Sequence, residues 1–515
     1  MKATELLDAI GEAKDEYIFA AKNNQKKKIP GWVKGLSAAA CLVLVVGVGV
    51  FALSMMGGRA GGGGNSNAGL TYMSYDGPVL PLTLDEENGR ITAQRHIDFD
   101  FSSYYPREEF YEDSKGEMKS YIQYDDEAIV TDSYILTNNS SEDITTTAIY
   151  PFVGSLREKE YTPTITVDGA GVIPEIHYGQ YSGGFTGALG GSSNDGMTSL
   201  NLAPCDSFAC YEQLLGSDDY MTAAFDEFPS LDQPVTVYKM SDYVYTSDTE
   251  ATSPTLNMEF YIDPDKTIVL TYGITGGTYN SEDGYCARQS GAIEYRPNAS
   301  PNRREPENSY VIFVGEDIES YTLQGYKNGG CNEGEELDDL GCTVTRYETT
   351  LGDVLWELIC DEWEYDDKSD AQTLFNLTSE LIVTSGPLGE LVQRYDDGML
   401  ETMLSEASSH SRVIYLTFDV TIPAGESVNI SAVSVKEASI DFVGDDTERN
   451  GYDMATQLGS NLTFTQQSAS VSEYSEIEII RQNFGFDLSA GITEVELDMT
   501  EPHYWLEVRK INQEQ

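Results

Sequence analysis

The residues best able to do chemistry in this chain are its carboxylates, with 86 Asp and Glu against 31 Lys and Arg. At that density acid pairs arise everywhere by chance, so no acid and nucleophile of glycosidase type can be singled out. Two runs are dense enough to offer oxygen ligands to calcium: Asp361, Glu362, Glu364, Asp366, Asp367 and Asp370, then Glu333, Glu335, Glu336, Asp338 and Asp339. Both lack the ordered alternation and central glycine of an EF-hand loop, which leaves a solvated helix end and a loop as their ordinary reading. Histidine occurs only at 96, 177, 410 and 503. Six cysteines, Cys205, Cys210, Cys286, Cys331, Cys342 and Cys360, show no paired CxxC spacing, so a structural zinc site is not expected. In an exported chain they permit disulfides, and Cys205 with Cys210 or Cys331 with Cys342 would close short loops.

The stretch "GSSND" at 191–195 departs from a nucleophile elbow at its last position, Asp195, and reads as a turn. The sequence holds neither a Gly-rich phosphate loop ending in Lys-Ser or Lys-Thr nor an HExxH pair. "PHYW" at 502–505 is an aromatic patch beside His503, yet Tyr504 and Trp505 in a terminal strand are expected to fill the core. No residue is therefore assigned a catalytic, cofactor-binding or metal-ligating role.

The elements that must carry these groups start with an anchor. Residues 36–56 hold no charged side chain, and 21 residues at about 1.5 Å each span about 31 Å, the thickness of a bilayer's hydrocarbon. A secretory signal has a shorter core behind a brief basic start, whereas here 35 residues precede it; cleavage near Ala52-Leu53-Ser54 is the alternative. Cys41, inside the run after Ala38-Ala39-Ala40, reads as a small apolar helix residue. Lys26, Lys27, Lys28 and Lys34 precede the run and only Arg59 follows closely, which keeps the N-terminus in the cytoplasm and puts the rest outside. The most apolar later stretch, 413–435, is broken by Asp419, Pro423 and Glu426, so one span is expected.

Charge follows the same division. Residues 1–35 hold seven lysines and five acids, net +2, which leaves −57 of the total of −55 for everything after them. Such a surface repels nucleic acid and anionic headgroups, which excludes nucleic acid as an expected partner. Residues 4–22 place Leu6, Ile10, Ala13, Tyr17 and Ala21 at helical spacing, a short cytoplasmic helix with a stripe for a protein partner or the membrane surface. The glycines of 57–70 make a flexible tether.

Beyond the tether the pattern is that of strands. Tyr134 and Leu136 alternate before a polar turn at 138–143, and Ile144, Ala148 and Tyr150 alternate after it, which predicts a hairpin. Ile414, Leu416, Phe418, Val420 and Ile422 lead through Pro423-Ala424-Gly425 to Val428, Ile430 and Ala432 and predict another. Asp168-Gly169 signals a third, tighter turn. Leu351, Val354, Leu355, Leu358 and Ile359 repeat at helical spacing, as do Leu388, Leu391, Val392, Tyr395, Met399 and Met403, so 350–408 should hold two or three helices. The fold class read from these patterns is mainly β: one or two β-sandwiches with a helical insertion, behind one transmembrane helix. The expected divisions are 1–35, 36–56, 57–70, a β-rich 71–345, a helical 346–410 and a β-rich 411–515.

Two stretches carry a resemblance. "ELLDAIGEAKDEYI", followed by a lysine cluster and "AAACLVLVV", resembles the start of single-pass membrane proteins of Firmicutes, some of which act like membrane anti-sigma factors. "LTNNSSEDITTTAIYPF" and "VTIPAGESVNIS" look like the strand and turn phrases of Ig-like β-sandwich ectodomains on bacterial surfaces. The first implies an anchored regulator with a cytoplasmic partner at 4–22, and the second a fold rather than a ligand. The expected function is an extracytoplasmic binding or sensing protein of unknown ligand. The alternatives are a surface hydrolase acting on glycans or peptides and a structural envelope or adhesion module.

Overall fold

In the computed structural model, residues 72–511 are described, apart from 106, 113–117, 124–126, 180–206, 249, 252–253, 264, 275, 281–285, 292–307, 328–333, 363–367, 385, 390–399, 410 and 444–448. The expected cytoplasmic helix, the apolar run 36–56 and the tether lie outside the described residues, as do "GSSND" and His410. Among the described residues no helix is long and apolar enough to cross a membrane. They are mainly β, arranged in several sheets.

A seven-stranded sheet forms the centre, in the order Glu494–Glu496, Thr463–Ser472, Ile91–Asp100, Ala128–Asn138, Ser427–Lys436, Thr164–Val167 and Ala170–Val172. Side chains alternate faces along a strand, so Ile91, Ala93, Ile97 and Phe99 all point the same way. Ile91 and Ala93 pack with Leu416, Phe418 and Val420 of a four-stranded sheet, made of Glu175–Tyr178, Arg412–Ile422, Ile144–Gly154 and Thr83–Leu84. Ile97 and Phe99 pack with Tyr452, Met454, Leu506 and Val508 of a five-stranded sheet, made of Tyr72–Tyr75, Ile440–Val443, Arg449–Ala455, His503–Lys510 and Ile477–Gln482. Two small sheets thus share one face of the large one.

Both expected long hairpins prove to be crossings. Ala128–Asn138 belongs to the seven-stranded sheet and Ile144–Gly154 to the four-stranded one, and Arg412–Ile422 and Ser427–Lys436 divide in the same way. Alternation fixes which face a strand buries, and it is identical whether the next strand lies alongside or across the core. Asn138 holds the two crossings together. Its buried amide donates to the carbonyls of Glu142 at 2.7 Å, Ile422 at 3.0 Å and Pro423 at 3.2 Å. The Asp168-Gly169 turn does make a hairpin, with φ of 48° and 77° joining Thr164–Val167 to Ala170–Val172. Two consecutive left-handed residues are what a two-residue turn of matching twist requires.

Between residues 231 and 409 a second stack is inserted. Its four-stranded sheet runs Thr267–Tyr272, Ser309–Gly315, Pro234–Val244 and Gly341–Thr350. In Ser309–Gly315 consecutive side chains are buried, because both faces are covered. Val311 and Phe313 pack toward Met258 and Phe260 of a five-stranded sheet, while Tyr310 and Ile312 pack under helices Leu351–Glu362, Lys368–Thr384 and Leu400–Ser409. The helices are therefore the third layer of this stack. The spacing of Leu351, Val354, Leu355, Leu358 and Ile359 marks their buried stripe. Of the second expected stripe, Leu388 lies in a turn before the undescribed 390–399, and Met403 lies in the last helix.

Candidate functional site

Four polar centres stand out. The first is sealed between the central seven-stranded sheet and the two small sheets that share its face. Arg95 and Asp132 face inward from neighbouring strands, fully buried, in a two-pronged ion pair with both contacts at 2.8 Å. Tyr134 donates to Asp132 at 2.6 Å and Tyr150 at 3.3 Å, while Arg95 donates to the carbonyl of Ala455 at 2.6 Å. Tyr150 comes from the four-stranded sheet and Ala455 from the five-stranded one, so the pair ties both to the central sheet. Burial, then the charge of Asp132, holds the Tyr134 and Tyr150 phenols well above the ordinary range. Water is excluded and each charge is paired, which marks this as a structural centre.

The second lies on the opposite, open face of the same strands. Thr463–Ser472 runs parallel to Ile91–Asp100, and this register sets Ser468, His96, Ser470, Asp98 and Ser472 in one row. His96 Nδ1 is 2.8 Å from Ser468 Oγ and its Nε2 is 3.0 Å from Ser470 Oγ. Ser470 and Ser472 both donate to Asp98, the latter at 2.7 Å. In the tautomer with Nδ1 as acceptor, Ser468 offers its proton to His96, and Ser470 carries the relay on to the carboxylate. A nucleophile also needs donors facing the developing oxyanion. At Ser468–Ser470 the strand is paired on both sides, with Ile91–Asp100 and with Glu494–Glu496, so its amides are committed to the ladders. The row is a polar cross-strand ladder with a basic group in it.

The third is Asp453, buried in strand Arg449–Ala455. Its Oδ2 meets His503 Nε2 at 2.7 Å and accepts from the Tyr75 hydroxyl at 2.6 Å. Oδ1 is buried without a hydrogen-bond partner. Phe208, at the start of helix Phe208–Leu214, stacks flat on the His503 ring with centroids 3.9 Å apart. Burial lifts the Tyr75 phenol far above the ordinary range, with the Asp453 charge adding to it. Burial also lowers the Lys436 amine, against the opposing pull of Asp453 and Asp76. The centre fastens the first strand and the Phe208 helix onto the last strands.

The fourth joins the two stacks. Arg412 Nη1 meets Glu380 of helix Lys368–Thr384 at 2.8 Å and donates to the carbonyl of Gly179 at 3.1 Å. Burial pushes the Glu380 carboxyl up, outweighing the Arg412 charge. On the surface nearby Lys159 pairs with Asp370, and Leu156 packs into the helix core.

Of the expected acid runs, Glu333, Glu364, Asp366 and Asp367 and the side chains of Asp361 and Glu362 lie outside the described residues, and described members make local contacts. Asp370 takes Lys159, Glu335 pairs with Lys327 at 2.6 Å, and Asp339 accepts from Thr246 at 2.7 Å and from the Ser247 amide at 2.9 Å. Among the described residues no group of three or more His, Cys, Asp or Glu is placed to hold a metal ion. Cys210 is disulfide-bonded, to a cysteine whose side chain is not among those described. Cys342 corrects the second suggested pairing: its thiol is free, half-buried and pushed up to about 11 by burial. Cys360 is also free and exposed. In "PHYW", Tyr504 joins the core and Trp505 lies under the Arg481 guanidinium at 5.8 Å, while His503 turns to Asp453.

Comparison with protein-family models, with curated proteins and with solved structures finds no match for this chain.

Proposed function

We propose that this chain is a single-pass membrane protein whose acidic β-rich part binds or senses a ligand outside the cytoplasm. One observation carries the reading: an uncharged run of bilayer length, with lysines before it, is followed within 16 residues by a folded β structure starting at Tyr72. The disulfide at Cys210 supports it, since such bonds persist in oxidising compartments. The helix at 4–22 then faces the cytoplasm and serves as the docking element of an anti-sigma-like regulator. The hydrolase alternative finds little support in the Ser468–His96 pair, whose setting lacks an oxyanion site.

Protease added to intact cells tests the topology. Digestion of the acidic part, with residues 1–56 retained in carbonate-washed membranes, is the expected result. A protected acidic part, or a soluble mature chain starting near Met55, overturns it. Pull-down with the peptide 1–35 tests the regulatory half: capture of a specific cytoplasmic protein is expected, and no specific capture removes that half.

A further inference from the structure

One sheet edge is unlike the rest. Of the strands that end the five larger sheets, Gly341–Thr350 is ten residues long and no other exceeds six. The six-residue edge Ile477–Gln482 is interrupted by a register shift between Ile479 and Arg481. At the far side of the inserted four-stranded sheet, Thr267–Tyr272 is mostly buried beside helix Leu400–Ser409, whose Glu401 accepts from the Gly273 amide. Short, bulged or covered edges are how folded chains keep their strands from pairing with a neighbour.

Gly341–Thr350 has none of these guards. It pairs with Pro234–Val244, and the register is regular from Thr343 to Thr350. Among the described residues, the backbone from Thr343 to Thr349 makes no hydrogen bond beyond that ladder. Thr343, Thr345, Arg346 and Glu348 are exposed. The run holds neither Pro nor Lys, and Thr343, Val344, Thr345, Thr349 and Thr350 are β-branched, the type that strands favour. Every second residue turns its N–H and C=O to the open side.

The charges choose the occupant. Two copies of one strand pair antiparallel about a twofold axis, and side chains on matching faces meet only when that axis passes at a residue. With the axis at Arg346 or at Glu348, like charges stand opposite each other. With it at Tyr347, Arg346 faces Glu348 of the second copy twice over, and Thr345 faces Thr349 twice. Opposite charges and threonine pairs are among the cross-strand pairs that stabilise a sheet.

We propose that Gly341–Thr350 is the contact edge of a symmetric dimer, in which two inserted four-stranded sheets join antiparallel about Tyr347 into one continuous sheet. The facing pairs from Thr345 to Thr349 give about four to six backbone hydrogen bonds. The charge of −55 on each chain opposes association at long range, and physiological salt screens that repulsion beyond about 8 Å.

The test uses the full chain in dodecyl maltoside at physiological salt, read by sedimentation and by hydrogen exchange. A dimer of the 56.7 kDa chain is expected as concentration rises into the micromolar range, with slowed exchange of alternate amides between Thr345 and Thr349. Glu348→Arg sets arginine against Arg346 at both sites and is expected to raise the dissociation constant about tenfold. Glu426→Arg, the same change in an exposed turn of the outer stack, is expected to leave it unchanged. Chains carrying Thr345→Cys mixed with chains carrying Thr349→Cys are expected to oxidise to a 345–349 disulfide. Thr345→Cys alone is not, because its two copies stand about 14 Å apart along the strands. A chain that stays monomeric overturns the proposal, and slow exchange at 345–349 in that monomer names another segment of the same chain as the occupant. A dimer indifferent to Glu348→Arg overturns it by placing the contact elsewhere, and a 345–345 disulfide does so by showing another register.

Discussion

Arg95 and His96 are neighbours in the chain, yet the two faces of their strand obey different rules. Arg95 points in, paired with Asp132 between three sheets, while His96 points out into a ladder of serines. The inner pair has no water to fall back on, so losing either partner strands a charge. The outer row makes four hydrogen bonds against five at the inner pair, but can exchange each for one to water. Hydrogen-bond count alone is therefore a poor guide to what a cluster contributes.

Four measurements sharpen or break that contrast. Asp132→Ala leaves Arg95 buried and unpaired, and should cost about 3–5 kcal/mol in urea unfolding of the outer stack. A cost under about 1 kcal/mol would show that water reaches the centre. Asn138→Ala strips three carbonyls of their donor at the crossings and should cost about 2–3 kcal/mol in the same assay. The third is a pH series. Tyr134 and Tyr150 have folded pKa values raised above the ordinary phenol value of 10.0, so their contribution is complete below that pH and is lost as pH climbs past it. Stability should fall above about pH 10, and a Tyr134→Phe, Tyr150→Phe double variant should show a shallower fall relative to its own value at pH 8. His96→Ala and Ser468→Ala, on the open face, should each shift the unfolding midpoint by no more than about 0.5 kcal/mol. A loss as large as that at Asp132 would mean that something covers the face.

Some of this was legible in the residues themselves. Alternation located the strands, and Asp168-Gly169 gave a true hairpin because turn chemistry is local. The crossings were not legible, since five polar residues at 139–143 suit a hairpin as well as a passage across the core. The buried pair does leave a signal in the sequence. Arg95 occupies the inward parity of Ile91, Ala93, Ile97 and Phe99, and Asp132 that of Val130, Tyr134 and Leu136. Two opposite charges at inward positions of alternating strands imply a partnered pair. Asp453 left no such mark, because its partners His503 and Tyr75 come from two distant segments.

The parallel pairing of Thr463–Ser472 with Ile91–Asp100 bears on how the protein is made. Strand Ile91–Asp100 waits for a neighbour that emerges some 370 residues later, after the whole inserted stack has been synthesised. Contacts so distant in sequence form slowly. The inserted stack draws all of its buried core but Leu156 from residues 231–409 and can gather itself first, whereas the outer stack stays incomplete until strand His503–Lys510 has been made. A nascent chain halted near residue 460 would leave the central sheet with an unpaired edge, an invitation to aggregation and a natural client for a chaperone.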